Sequence, residues 1–246
     1  MMQVLTVDEL GTPVGEIWRE CQNQNRRPEF FVAAPLSSTP LPIYDWTIAN
    51  HSLFRHWGNL RFVLMDEQVE GAAEPFSYIN TEDPASYEGF ALRHFIRPLT
   101  EQVKVNFSIL KPPHLDRISD YDVPLDLLIL ALGVRGNYAN VMPGTALTVG
   151  WHVAHLIPEF RRVHTHAGSA SYAGASFREY GMSLGPQQVI AARRIVVCIS
   201  GQKKNALAET LLRSSEFDPD FPLSIIHHPS VRERVSVYLT KDVGLT

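Results

Sequence analysis

The stretch Leu127 to Gly144, LLILALGVRGNYANVMPG, decides the fold. Its first half, with Asp126 before it, is an apolar run through Leu132, short enough for a strand buried on both faces. Its second half turns abruptly to Gly, Arg, Asn, Tyr and Pro, which suits an exposed loop beyond that strand's carboxyl end. Open α/β sheets place their ligand sites there.

Working outward, the flanking sequence repeats the strand, polar turn, helix pattern. Glu29 to Ala34 (EFFVAA) is a buried-strand candidate, Pro35 to Pro40 a turn, and the residues to about Leu53 a helix. Leu60 to Met65 makes a second strand ending in Asp66-Glu67, Gly71 to Thr81 reads as a surface loop, and Pro84 to Ile96 as a helix whose apolar face includes Tyr87, Phe90 and Phe95. Upstream, residues 7 to 26 form a helix on the spacing of Leu10, Val14, Ile17, Trp18 and Cys21, stopped by Arg26-Arg27-Pro28. Val103 to Leu110 resembles a strand, and Pro112 to Pro124 a connection.

Downstream, the pattern weakens between Thr145 and Arg178, where His152, His155, His164 and His166 fall; His152 and His155 would share a helix face, His164 and His166 a strand face. No third ligand is fixed by spacing, so the histidines suit acid/base work better than a metal. Tyr180 to Leu184 is a short strand followed by a short helix. Arg194 to Ser200 is a strong buried strand, and Gly201 to Lys204 opens another helix. Leu223 to Ile226 and Val235 to Leu239 close the chain as strands. No repeat, low-complexity tract or separating linker interrupts this order.

Three places carry chemistry. The turn Ser37-Ser38-Thr39 offers hydroxyls and the unpaired N-H groups of a helix start, which can hold a phosphate or simply cap the helix. Asp66 and Glu67, at a strand end, can raise one another's pKa toward neutrality and act in proton transfer, although acids also end ordinary strands. Lys204 in a first helical turn opposes the helix dipole, which is tolerated best where an anion binds.

Composition excludes several classes. The chain has 246 residues, 45% of them hydrophobic, enough for a full core without staples. Two cysteines far apart, Cys21 and Cys198, suit a reducing compartment rather than a disulfide. No window approaches a membrane span and the first residues lack a signal core, so cytoplasmic placement is expected. A net charge of -4 argues against broad nucleic-acid binding, and basic pairs such as Arg26-Arg27 read as solvated helix ends.

Five blocks in order, covering roughly residues 29 to 242, resemble the family of glucosamine-6-phosphate deaminase, galactosamine-6-phosphate isomerase and 6-phosphogluconolactonase. FFVAAPLSSTPLPIY looks like its strand and phosphate loop. LRFVLMDEQVEG followed by EDPASYEGFALRHF looks like its Met-Asp-Glu strand end and Pro-x-Ser-Tyr helix. DLLILALGVRGNYANVMPG looks like its Asp-Gly-His loop. YGMSLG and IVVCISGQKKNALAETL look like its Ala-Leu-Thr-Val-Gly strand and Gly-x-x-Lys helix start.

The resemblance implies an α/β three-layer sandwich with a largely parallel, Rossmann-like sheet, as one domain over residues 1 to 246. It implies a hexose or hexosamine 6-phosphate as the small-molecule partner and aldose-ketose proton transfer as the chemistry. Ser37, Ser38, Thr39 and Lys204 would hold the phosphate, with Asp66, and Glu67 beside it, as the catalytic carboxylates. No cofactor, metal, nucleic acid or membrane is implied, and a homo-oligomer is compatible.

The sequence departs from the family in the second half of Leu127 to Gly144. Asp-Gly-His is replaced by Arg135-Gly136-Asn137, so an amide stands where the ring-opening imidazole would be, and Met142 stands where a glutamate orients it. Both phosphate-loop glycines are serines, Ser37 and Ser38. Ring opening would then fall to His164 or His166, or occur in solution, while Arg135 could meet a further substrate anion. Two alternatives stand beside the isomerase/deaminase: a sugar-phosphate sensor that has lost catalysis, and a lactonase-like hydrolase suggested by Met142-Pro143-Gly144-Thr145.

Overall fold

The computed structural model describes residues 2–72, 76–111, 123–161, 172 and 175–244. Leu127–Ala131 is β7, the middle strand of a seven-stranded parallel sheet whose order is β1-β11-β10-β7-β2-β3-β6. The other members are β1 (Gln3–Val7), β2 (Phe30–Ala33), β3 (Leu60–Val63), β6 (Ser108–Leu110), β10 (Ile195–Ile199) and β11 (Val235–Thr240). Every pairing in this sheet is parallel. Parallel sheets need both faces covered, and β7 and β10 are apolar and buried along their lengths.

The strand period of two divides those residues between two cores. Leu127 and Ile129 of β7, with Val196 and Cys198 of β10, face one core. There they meet α1 (Gly11–Gln24) and α2 (Leu41–Ala49), through Trp18 and Tyr44, together with Phe90 and Phe95. Leu128 and Leu130, with Ile195, Val197 and Ile199, face the other. That side is covered by the helices Pro186–Ala191 and Asn205–Arg213 and by a second sheet. The expected three-layer α/β architecture with a parallel, Rossmann-like sheet is therefore present.

A second sheet departs from the surface loop and helix expected there. It is antiparallel, in the order β5-β4-β9-β8, with β4 at Asp66–Glu70, β5 at Ser77–Tyr78, β8 at His152–His155 and β9 at Tyr180–Ser183. Asp66 and Glu67 thus do not end a strand in open solvent: after Leu64 and Met65 the chain changes sheets and they begin β4. The expected surface loop Gly71 to Thr81 contains β5, with Phe76 and Ile79 buried around it. His152 and His155 lie on a strand, not a helix, so a spacing of three puts them on opposite faces.

Three boundaries and one element type also differ from expectation. The first helix begins at Gly11, because Glu9 accepts hydrogen bonds from the amides of Gly11 and Thr12 and residues before it join the sheet as β1. The helix expected at Pro84 begins with α3 (Tyr87–Ala91), capped by Ser86 Oγ accepting from Gly89 N at 3.0 Å. It then passes through a π turn, Leu92–Ile96, into α4 (Arg97–Val103). Pro98, which lacks the N-H for the bond four residues back, accounts for the wider turn. The strand expected from Val103 is confined to β6, since Lys104 ends α4 in a left-handed conformation. Leu223 to Ile226 belong to a buried 3-10 helix, Pro222–His227, rather than a strand; a short apolar run does not reveal its period. The expected Pro112 to Pro124 connection falls largely outside the described residues.

Glu67 ties the two sheets to α3. Its carboxylate is almost fully buried and accepts from Gln68 N at 2.7 Å, Tyr87 N at 2.9 Å, Glu88 N at 2.7 Å and Ser86 Oγ at 2.9 Å. Three of these donors are at the start of α3, where a negative charge is also favoured by the helix dipole. Glu67→Ala should strand these donors and destabilise the protein by roughly 3 kcal/mol, or about 6–12 °C in Tm. The control Glu20→Ala, on the exposed side of α1, should change Tm little. Equal melting of the two variants would show that the Glu67 carboxylate does not organise the start of α3.

Candidate active site

In the parallel sheet β2 lies beside β7, and the chain turns in opposite directions from these two strands: from β2 outward to β3 and β6, from β7 outward to β10 and β11. Where connections diverge, a crevice opens at the carboxyl ends of the strands. A cleft of about 690 Å³ occupies that position. It is lined by Pro35 to Thr39 after β2, Ala131 to Val134 and Asn137 to Ala139 after β7, Ser200 to Lys204 after β10, and Asp242 after β11. Asp66 and Tyr87 enter from β4 and α3, together with Phe160 and Tyr172.

The loop after β2 is held from behind. Tyr44 Oη donates to Pro35 O at 2.7 Å and Tyr172 Oη donates to Leu36 O at 2.6 Å. Its hydroxyls are not spent on the helix, because Pro40 occupies the cap position of α2 and no side chain caps it. The capping alternative for Ser38 and Thr39 therefore does not hold. Among the described residues, Ser37, Ser38 and Thr39 make no side-chain hydrogen bond. Across the cleft, Lys204 sits at the junction between a 3-10 turn, Gln202–Lys204, and the helix Asn205–Arg213. Burial lowers its pKa to about 8, and among the described residues no carboxylate lies within ion-pair reach. A desolvated, uncompensated ammonium facing three free hydroxyls suits an anion.

Asp66 is buried and, among the described residues, its carboxylate receives no hydrogen bond. Burial first, and the charge of Glu67 second, hold its pKa well above the usual carboxylate range. Glu67 sits next to it in sequence yet lies outside the cleft, because neighbours in a strand point to opposite faces. Burial raises the Glu67 pKa, against the lowering by its bonds from Glu88, Tyr87, Gln68 and Ser86. One carboxylate is thus left without donors while the other is saturated with them.

The loop after β7 is closed on itself. Gly133 N donates to Asn137 O at 2.7 Å, and Gly136 N to Gly133 O at 3.2 Å. The Asn137 side chain accepts from Arg135 N at 3.3 Å and donates to Ala139 O at 3.1 Å. It presses so closely on Gly133 that an added Cβ there would lie 2.1 Å from Asn137 Oδ1. Gly136, at φ +72°, packs under Phe221, where a Cβ would meet the ring at 2.5 Å. Arg135 points to solvent, and neither it nor Gly136 lines the cleft.

Of the residues singled out in the sequence, the fold gathers Ser37, Ser38, Thr39, Asp66, Asn137 and Lys204 around one cavity and leaves out Glu67, Arg135 and Gly136. His164 and His166 lie outside the described residues. Tyr87, Phe160, Tyr172, Lys203 and Asp242 line the cleft without having been foreseen as site residues. Asp242 could have been found by the rule used for Asp66, since it follows the carboxyl end of a strand; Tyr172 falls where the sequence has no clear period. Among the described residues no cluster of His, Cys, Asp and Glu is arranged to hold a metal, and no helix is long and apolar enough to cross a membrane.

Fold and cleft together define a Rossmann-like α/β protein with an anion-suited crevice at its topological switch point. No protein-family model matches the chain. It is 29% identical to glucosamine-6-phosphate deaminase of Staphylococcus saprophyticus over 111 residues, 44% of this chain and 43% of that protein, a match spanning less than half of the relative. It is 21% identical to glucosamine-6-phosphate deaminase 1 of Bacillus subtilis over 238 residues, 92% of each. Among solved structures, a monomeric glucosamine-6-phosphate deaminase superposes with a TM-score of 0.75 at 20% identity, covering 98% of both chains. The 6-phosphogluconolactonase from Leishmania guyanensis superposes with a TM-score of 0.67 at 16% identity, over 99% and 98%. The chain thus resembles glucosamine-6-phosphate deaminases in sequence at low identity, and shares the fold of deaminases and 6-phosphogluconolactonases over nearly its whole length.

The Asp66 environment has a measurable consequence. Between its unfolded and folded pKa the unfolded chain has released a proton that the folded chain still holds, so stability falls as pH rises through that window and stays lower above it. Asp66→Asn removes the penalty. Its Tm should exceed that of the wild type by a few degrees at pH 7, with the gap shrinking as pH is lowered toward 4. A Tm difference independent of pH, or of opposite sign, would mean that Asp66 is not held in a disfavoured ionisation state.

Proposed function

We propose that the protein is a divergent sugar-phosphate isomerase or deaminase acting on a hexose or hexosamine 6-phosphate. The observation that carries this reading is the meeting, in one cleft, of Ser37, Ser38, Thr39 and Lys204 with a buried carboxylate, Asp66, that lacks hydrogen-bond donors. The hydroxyls and ammonium bind the phosphate and fix the other end of the substrate against Asp66. As a carboxylate with a raised pKa, Asp66 is a stronger base than a solvated one. It takes the proton from C2 of an open-chain aldose and returns it to C1, converting aldose to ketose. With an amine on C2 the same transfer leaves a ketimine, which water hydrolyses to the ketose and ammonia. The similarity to glucosamine-6-phosphate deaminases supports this chemistry, and no cofactor enters it.

Ring opening is the step the loop after β7 does not serve. The Asn137 amide exchanges no proton near neutrality and is already engaged on both sides by Arg135 and Ala139. The substrate is therefore taken as the open-chain form from solution or opened by a group outside the described residues. The same observation favours a second reading, a sensor that binds a phosphosugar without converting it. Met142-Pro143-Gly144-Thr145 and the likeness to lactonases support a hydrolase on the same scaffold. A panel of hexose and hexosamine 6-phosphates and 6-phosphogluconolactone separates them. Isomerisation or ammonia release supports the first reading and hydrolysis the third. Thermal stabilisation by a phosphosugar without turnover supports the sensor.

Lys204 makes the phosphate assignment testable by pH. Its pKa of about 8 in the free protein rises when a dianion binds, so above pH 8 binding must take up a proton and affinity should fall, by up to about tenfold per pH unit. Lys204→Arg should remove most of that dependence. Lys204→Ala should weaken binding at pH 7 by roughly 10- to 100-fold without lowering Tm, since it removes a desolvated charge. Unaltered affinity in Lys204→Ala, measured by calorimetry, would remove the lysine from the cradle.

A further inference from the structure

When a base takes the proton from C2 of an open-chain aldose, negative charge develops on the oxygen of C1, and a donor aimed at that oxygen completes the step. Asn137 is not that donor, because its amide is engaged by Arg135 N and Ala139 O. Hydroxyls surround Asp66 instead. Burial raises the phenols of Tyr44, Tyr87 and Tyr172, and the charge of Asp66 raises each of them further, which places all three near that carboxylate. Two of the three are already spent: Tyr44 Oη donates to Pro35 O at 2.7 Å and Tyr172 Oη to Leu36 O at 2.6 Å.

Tyr87 differs from both. It is the first residue of α3, it lines the cleft with Asp66, and among the described residues its Oη donates to no carbonyl. Unlike the enclosed hydroxyl of Tyr138, that oxygen keeps accessible surface. Its place is fixed without use of the hydroxyl. Tyr87 N donates to Glu67 Oε1 at 2.9 Å, so the residue that carries the phenol is anchored to the neighbour of Asp66. The ring meets Tyr172 edge-on at 5.8 Å and Phe177 at 6.0 Å. Burial first, then the charges of Asp66 and Glu67, hold the phenol well above its usual range against a lowering by the Gln68 side chain, so it stays protonated and able to donate. A donor set in place beside a base needs little rearrangement when charge develops.

We propose that Tyr87 is a second catalytic residue, whose hydroxyl serves the oxygens of C1 and C2 while Asp66 serves their carbons. The inference rests on the isomerase or deaminase reading. As Asp66 removes the C2 proton, the C2-H electron pair forms the double bond between C1 and C2, and the carbonyl pair moves to O1, which takes the phenolic proton. Asp66 then returns its proton to C1, the O2-H pair forms the new carbonyl at C2, and the O2 proton goes back to the phenolate. Both side chains end as they began. With an amine on C2 the same sequence forms a C2-N double bond, and water releases the ketose and ammonia.

The test compares the full-length wild type with Tyr87→Phe on the hexose or hexosamine 6-phosphate that the panel shows to be turned over best. The change removes one oxygen on which no described backbone group depends, so the fold is retained, checked by Tm. Ketose formation should fall in kcat by roughly 10²- to 10³-fold, the usual cost of losing one donor to a developing oxyanion. Glucitol 6-phosphate has the chain and the phosphate but no carbonyl, and by calorimetry it should bind both proteins alike, because the phenol acts in the transition state. Turnover undiminished in Tyr87→Phe overturns the role of Tyr87 and leaves Asp66 as the base. A loss of glucitol 6-phosphate affinity as large as the loss of turnover also overturns it, since Tyr87 would then act in binding. No turnover of any panel member by the wild type removes the isomerase and deaminase reading, and the inference with it.

Discussion

The rest of the structure depends on the parallel pairing of β7 between β2 and β10. A parallel strand buried on both faces obliges the chain to cross over the sheet after each strand, and the crossovers leave β2 and β7 in opposite directions. No element can cover both carboxyl ends at once. The crevice that results collects the loops after β2, β7 and β10, which is why residues as distant as Ser37 and Lys204 face one another. The small antiparallel sheet closes the crevice from a third side and delivers Asp66.

Charge within that crevice is arranged by differences in solvation rather than by ion pairs. Asp66 and Lys204 are both taken out of water without a described partner, and each is pushed toward its neutral form. This is costly in the empty protein and is the usual signature of a site that binds charge or moves protons. Glu67, one residue from Asp66, has four donors and joins β4 to α3 instead. The two carboxylates are treated differently by the fold: one is saturated with donors and, among the described residues, the other is left without any.

The loop after β7 lies at the cleft, as expected, and is closed on itself. Where an imidazole would point at a sugar, the Asn137 amide stitches the loop to Arg135 and Ala139, and Gly133 and Gly136 allow the close packing this needs. A loop of this kind is a rigid wall. Under the proposed function, substrate recognition would rest more on the hydroxyl turn after β2, on Lys204 and on the aromatic side chains of Tyr87, Phe160 and Tyr172.

Much of this was legible in the sequence. Leu127 to Leu132, Phe30 to Ala33 and Ile195 to Ile199 are apolar runs that suit strands buried on both faces, and the turns after them carry Ser, Gly, Asn and Lys around the cleft at the strands' carboxyl ends. The sequence by itself determined the parallel core, the order of its blocks and most of the candidate site residues. It did not determine which of two adjacent carboxylates would face the cleft, because that depends on the pleat of β4 and the start of α3, brought together only by tertiary packing. It gave no sign that Gly71 to Thr81 and His152 to His155 join a second sheet, since short strands paired with distant segments leave no period of their own. Local patterns are written by burial along one element; sites are made where several elements end together, and only the folded chain decides that.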